Sequence, residues 1–159
     1  MILAIDPGNT ESAYVVLDID LKPLEFGKIS NDILKNKMDD LINKHKIRRV
    51  AIEMVASYGM AVGKEVFETV FWIGRFFETA LRHMDIDEIM KIYRKDEKMN
   101  LCHSMKAKDS NIRQALIDRF GEVGTKKNPG WFYGFKSDIW QAYAVGVTYY
   151  DMYLKEGAA

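Results

Sequence analysis

Three acidic residues interrupt apolar stretches of this 159-residue chain. Asp6 closes the run Ile2-Leu3-Ala4-Ile5, Glu53 closes Val50-Ala51-Ile52, and Asp138 precedes an apolar segment that starts at Ile139. A charge at the end of a buried run is costly unless something opposes it. Carboxylates brought together from three elements would repel unless a cation stood between them. Hard oxygen donors select magnesium, with manganese as a substitute. Two such ions roughly 4 Å apart can clamp the attacking and leaving oxygens of a phosphodiester. Plainer readings exist: Asp6 before Pro7-Gly8 as a turn former, and Asp138 as a helix cap favouring the dipole. His45, His83 and His103 lack metal-ligand spacing and are read as surface residues, and the nine methionines as core filler.

Those acids need elements that carry them to one place. Ile2–Ile5 reads as a strand stopped by Asp6-Pro7-Gly8-Asn9, with further strands at Ala13–Leu17 and Leu24–Ile29. Connections this short predict an antiparallel meander. A helix then starts at Asn31 or Asp32 as N-cap, with Ile33, Leu34, Met38, Leu41 and Ile42 on one face. The fourth strand, Arg49–Glu53, can therefore lie parallel to the first. Asp6 and Glu53 then emerge at the same end of the sheet, where open α/β sheets bind ligands.

From Lys64 to Arg82 a helix is predicted, with Val66, Val70, Ile73, Phe77 and Leu81 as its core stripe, flanked by Phe67 and Phe71. Trp72 and Phe76 fall on the far side, so the helix wants a second partner. A homodimer interface is the preferred reading, and burial within the same chain the alternative. A short fifth strand is expected near Ile89–Tyr93, and a helix over Asp109–Phe120 capped by Asp109 and ended by Gly121. The last helix, Lys136–Leu154, has an all-round apolar middle, Ala142-Tyr-Ala-Val-Gly146-Val, that should pack closely on the sheet and bring Asp138 to the other acids.

The chain should form one domain over residues 1–159, with nearly half its residues apolar to build a core. Met1–Ile5 is too short for a secretory signal, and no apolar run approaches the roughly 20 residues of a membrane span. The lone Cys102 excludes an internal disulfide and fits a reducing compartment, so a cytoplasmic protein is expected. Net charge is zero, yet Lys91–Lys136 holds eleven Lys/Arg against five Asp/Glu. That segregation can make a basic face for a phosphate backbone, or simply a solvated surface.

Met-Ile-Leu-Ala-Ile-Asp-Pro-Gly-Asn-Thr at the start, Val-Ala-Ile-Glu in the middle and an Asp-bearing, Ala-rich last helix together resemble the RuvC family of Holliday junction resolvases. Lys106–Gly121, with Gly124-Thr-Lys-Lys after it, resembles RuvC-like proteins of phages and prophages in particular. The resemblance implies an α/β, RNase H-like fold. Its five-stranded mixed sheet would have strands 1-2-3 antiparallel and strands 4 and 5 parallel to 1. It also implies a homodimer and two-metal cleavage of four-way DNA junctions by paired nicks. By position, Asp6 would bridge two magnesium ions, Glu53 would bind one, and Asp138 would complete the other site. One departure stands out: where cellular members carry a further Asp, one helical turn on, this chain has Gln141, which offers only a neutral oxygen or a donor.

Phosphate contacts are assigned to Lys106, Lys108, Lys126 and Lys127, with Arg113 and Lys136 beside them. In the loop after Glu53, Tyr58 or Met60 could wedge at a junction core or merely pack on the next helix. Lys64 and Arg75 could meet DNA or a partner subunit. Alternatives remain: an RNase H-like nuclease on flaps, forks or RNA–DNA hybrids, or a junction-binding protein that does not cut. An actin-like or sugar-kinase ATPase shares Asp6-Pro-Gly-Asn-Thr10, but would need a second such domain that this length does not provide.

Overall fold

Pleat alternation along five strands sets the architecture in the computed structural model, which describes residues 1–155. Strands β1 (Ile2–Asp6), β2 (Glu11–Leu17) and β3 (Pro23–Ser30) form an antiparallel meander. β4 (Arg49–Met54) lies parallel to β1, and β5 (Glu88–Tyr93) parallel to β4, giving the order β3-β2-β1-β4-β5. Helices α1 (Asn31–His45) and α2 (Lys64–Leu81) cover one face. The other face carries α3 (Arg94–Cys102), α4 (Asp109–Phe120) and α5 (Ile139–Tyr149), which runs on into a π-helical turn at Tyr150–Leu154. No helix among the described residues is long and apolar enough to cross a membrane.

Side chains alternate between the two faces of a strand. Leu3, Ile5, Val50 and Ile52 belong to the core under α1 and α2, whereas Ile2, Ala4 and Ala51 belong to the core under α5. The next residues in that alternation, Asp6 and Glu53, therefore project on the α5 side. Parallel register sets Ile5 beside Ile52, so the two acids that follow them are neighbours at the strand ends.

The turn after Asp6 is tightly tied. Gly8 N–H donates to Ser12 Oγ (3.1 Å), the Ser12 hydroxyl donates to Asn31 Oδ1 (2.6 Å), and Asn31 Nδ2 donates to the Gly8 carbonyl (2.9 Å). A Cβ on Gly8 would stand 2.3 Å from the Glu11 carbonyl oxygen, so no larger residue fits. On the other side, α5 approaches the sheet at Gly146, where a Cβ would meet Leu17 Cδ1 at 2.5 Å and Ala4 Cβ at 3.0 Å. The start of α5 is anchored by Phe132, Phe135 and Trp140 packed against Tyr143, whose hydroxyl donates to the Leu21 carbonyl (2.9 Å) and accepts from Trp131 Nε1 (3.0 Å). Those contacts fix Asp138 at the mouth of α5.

Several expectations need correction. On α2 the core face is rotated from the expected stripe: Ile73 is buried and Phe77 packs on the core as expected, but Phe76, Thr79 and Ala80 are buried with them, while Phe67, Val70, Phe71 and Leu81 are exposed. The helix has two apolar stripes, and the one that includes Phe76 fits the sheet. α3 lies in a stretch too polar to show a period. The N-cap of α1 is Ser30, because Asn31 is spent inside on Ser12 and Gly8. Lys108, not Asp109, caps α4; its N–H donates to Asn111 Oδ1 (2.8 Å), and Asp109 pairs with Arg94 instead. His45 and His83 are mostly buried and pair with Glu25 and Asp39. Met38 alone of the nine methionines is fully buried.

Candidate metal and catalytic site

Asp6 and Glu53 meet side chain to side chain, with the Asp6 carboxyl donating a hydrogen bond to Glu53. Burial pushes the Asp6 carboxyl far above the usual carboxylate range, and the charges of Glu53, Asp138 and Glu97 push it further. Glu53 is also raised by burial, against the lowering effects of its bond from Asp6 and of Arg94. Two carboxyls this close resist ionising together, so in the metal-free protein they keep a shared proton until the pH is well above the usual carboxylate range.

Behind them lies a residue that the sequence reading missed. Glu97, on α3, has no exposed surface. One oxygen, Oε2, accepts from Arg94 Nη1 (2.7 Å) and from Gln141 Nε2 (3.1 Å). The other, Oε1, is buried with no partner. Burial raises the Glu97 carboxyl well above its ordinary value, with Glu53 adding to the rise and Arg94 opposing it. The Gln141 amide N–H is thus engaged with Glu97. A charged residue in an apolar helix was the signal available for Asp138, but Glu97 sits in Arg94-Lys-Asp-Glu-Lys-Met-Asn, where one acid among many charges attracts no notice.

Asp138 stands at the mouth of α5, after Ser137 in a left-handed backbone conformation (φ 50°). Its carboxylate pairs with Lys28 Nζ on β3 at 2.7 Å. It shares a cavity of about 340 Å³ with Asp109, Arg113, Ser137, Trp140 and Gln141. Among the described residues, no three His, Cys, Asp or Glu side chains stand close enough, as placed, to hold one ion. Asp138, paired with Lys28, is not gathered with Asp6 and Glu53 around one point.

The donor set nonetheless suits hard divalent cations. It is all carboxylate oxygen, with neither His nor Cys beside it. Asp6, Glu53, Glu97, Asp109 and Asp138 stand against Lys28, Arg94 and Arg113, which leaves an excess of two negative charges if all ionise. Magnesium or manganese would balance that excess.

The same fold occurs in solved structures. Thermus thermophilus RuvC in complex with a Holliday junction substrate is 15% identical and superposes with a TM-score of 0.72, over 99% of this chain and 96% of that one. The chain has the RuvC fold. The yeast mitochondrial Holliday junction resolvase Ydc2 matches at 12% identity and TM-score 0.61, over 93% of this chain and 76% of its own. Fowlpox virus resolvase, with its Holliday junction DNA, matches at 13% identity and TM-score 0.53, over 94% and 97%. No protein-family model matches the chain, and no curated protein matches it.

Upon this RuvC fold, the residues assigned to phosphate are all exposed: Lys106, Lys108, Arg113, Lys126, Lys127 and Lys136. Arg113 is the one brought to the acids, lining the Asp138 cavity with its guanidinium 4.6 Å above the Trp140 ring. Lys106 lines a separate groove with Asn111 and Gln114. Lys126 and Lys127 sit in a small hairpin closed by the Gly124–Pro129 bridge. Tyr58 and Met60 are 69% and 78% exposed in the loop between β4 and α2.

Proposed function

We propose that this chain is a metal-dependent endonuclease that resolves four-way or similarly branched DNA junctions, using Asp6, Glu53 and Asp138 to hold two magnesium ions. The observation that carries the reading is the buried Asp6–Glu53 pair at adjoining strand ends, with Asp138 in electrostatic reach of both. The junction is the substrate named for the solved neighbours of the same fold. When bound, the ions would stabilise charge on the phosphorane-like transition state and make water a usable nucleophile. Asp6 and Glu53 would bind the ions as carboxylates, without their shared proton, and an Asp138 engaged with an ion would leave Lys28 free for a phosphate. Arg113 and the exposed lysines position the backbone, so affinity should fall steeply with salt.

A junction has two strands to cut, which suits a twofold-symmetric pair of sites. The exposed apolar side chains Phe67, Val70, Phe71 and Leu81 on α2 supply a surface for a second copy. Sedimentation at micromolar concentration should show a dimer; a monomer would remove this part of the reading.

The test of function is an assay with magnesium on a four-way junction, a flap, a linear duplex and an RNA–DNA hybrid. Symmetric paired nicks confined to the junction are expected. Equal cutting of the hybrid or the flap would favour the broader RNase H-like reading. A non-cleaving junction binder is the competing class, favoured by Gln141 and by the Lys28–Asp138 pair. Tight junction binding without cutting in magnesium or manganese would establish it.

A further inference from the structure

We propose that Glu97 is itself a metal ligand of this site, reaching it through its free Oε1 while Arg94 and Gln141 hold Oε2. The inference rests on the metal-dependent reading above and adds a residue to it. A carboxylate with no exposed surface is costly to bury, and a structural ion pair with Arg94 would account for only one of its two oxygens. The other has no donor in reach. Its two donors are already engaged: Arg94 divides itself between Glu97 and Asp109, and the Gln141 amide is on Oε2.

The remaining neighbours are the acids. Glu97 is electrostatically coupled to both Asp6 and Glu53. On α5, Asp138 and Gln141 are three residues apart and line one cavity, so they share a face. That face offers one carboxylate and one amide, and the amide points its N–H at Glu97. A neutral helix residue thereby orients a charged one from α3, and the missing negative charge is delivered from a different element. The unpaired Oε1 is the oxygen that this arrangement leaves for an ion.

Manganese is the probe, measured on the full chain by calorimetry and by the electron paramagnetic resonance of bound ion, so cleavage need not be read. Glu97→Gln keeps the shape and removes the charge. It should weaken manganese binding by about tenfold or more, or remove one bound ion, with the fold intact by circular dichroism. Asp87→Asn removes an equal charge from an exposed pair with Arg48 outside the site and should change affinity by less than about twofold. Glu97→Asp keeps the charge but shortens the reach, and should also weaken binding, which serves if the Gln variant does not fold. Should Asp6→Asn lose manganese while folded Glu97→Gln and Glu97→Asp bind it like the parent, the metal site stands and Glu97 is only structural. If the parent chain binds no manganese at all, both readings fall.

Discussion

On β3, Glu25 gathers Lys37 (2.7 Å), Lys44 (2.8 Å) and His45 (2.9 Å) around one carboxylate. Across the sheet, at the ends of β1 and β4, Asp6 and Glu53 press two carboxyls together with Glu97 and Asp138 close by. The first arrangement is neutralised within the chain. Its hydrogen bonds from His45, Lys37 and Lys44 pull the Glu25 carboxyl down to about 2. The second drives Asp6 and Glu53 the other way, because burial and like charges outweigh the few cations present. A carboxylate surrounded by its own cations is finished structure. Carboxylates surrounded by each other await a partner from solution.

The sharpest way to break that contrast is Asp6→Asn. Cleavage of a junction should fall by about 10²–10³-fold or more, with junction binding retained. Normal turnover would remove Asp6 from the chemistry. The same substitution should stabilise the metal-free protein by on the order of 1–2 kcal/mol, since it removes a strained carboxyl.

A pH series sharpens it next. The folded protein holds protons on Asp6 and Glu53 that the unfolded chain releases near pH 4. Because the folded state binds more protons, stability of the metal-free chain should fall as pH rises above about 4, until the folded carboxyls ionise in turn. Magnesium should offset that loss, and more so at alkaline pH. A flat profile in thermal unfolding would deny that the site is strained.

Glu25 provides the opposite sign. Its depressed pKa stabilises the fold above about pH 4.5 and ceases to do so as pH falls through about 2. Glu25→Gln should therefore cost about 1 kcal/mol at neutral pH, while leaving manganese affinity unchanged. Lys28→Met is the mildest test: it frees Asp138 and should tighten manganese by about fivefold at most, the worth of an exposed ion pair.

How much of this was readable from sequence depends on contrast with neighbours. Asp6 and Glu53 each end an apolar run, so their oddity is visible, and alternation along β1 and β4 then settles the face they share. Gly146 among small apolar residues announced the close approach of α5. Periodicity could not choose between the two apolar stripes of α2, because Phe76 and Trp72 compete with Val70 and Leu81 and only the sheet decides. Glu97 left no pattern at all, since α3 is polar along its length. The one oddity nearby was a glutamine at position 141 where a carboxylate was expected, and it said nothing of α3.

The central claim is that Asp6 and Glu53 exchange a shared proton for a shared divalent cation. Crystals grown or soaked with manganese, measured for its anomalous scattering, address this directly. The account predicts an anomalous peak within ligand distance of both carboxylates, about 2.0–2.2 Å from oxygen, with Asp138 turned away from Lys28. Two carboxyls still hydrogen-bonded to each other, with no anomalous density between them at saturating manganese, would contradict it.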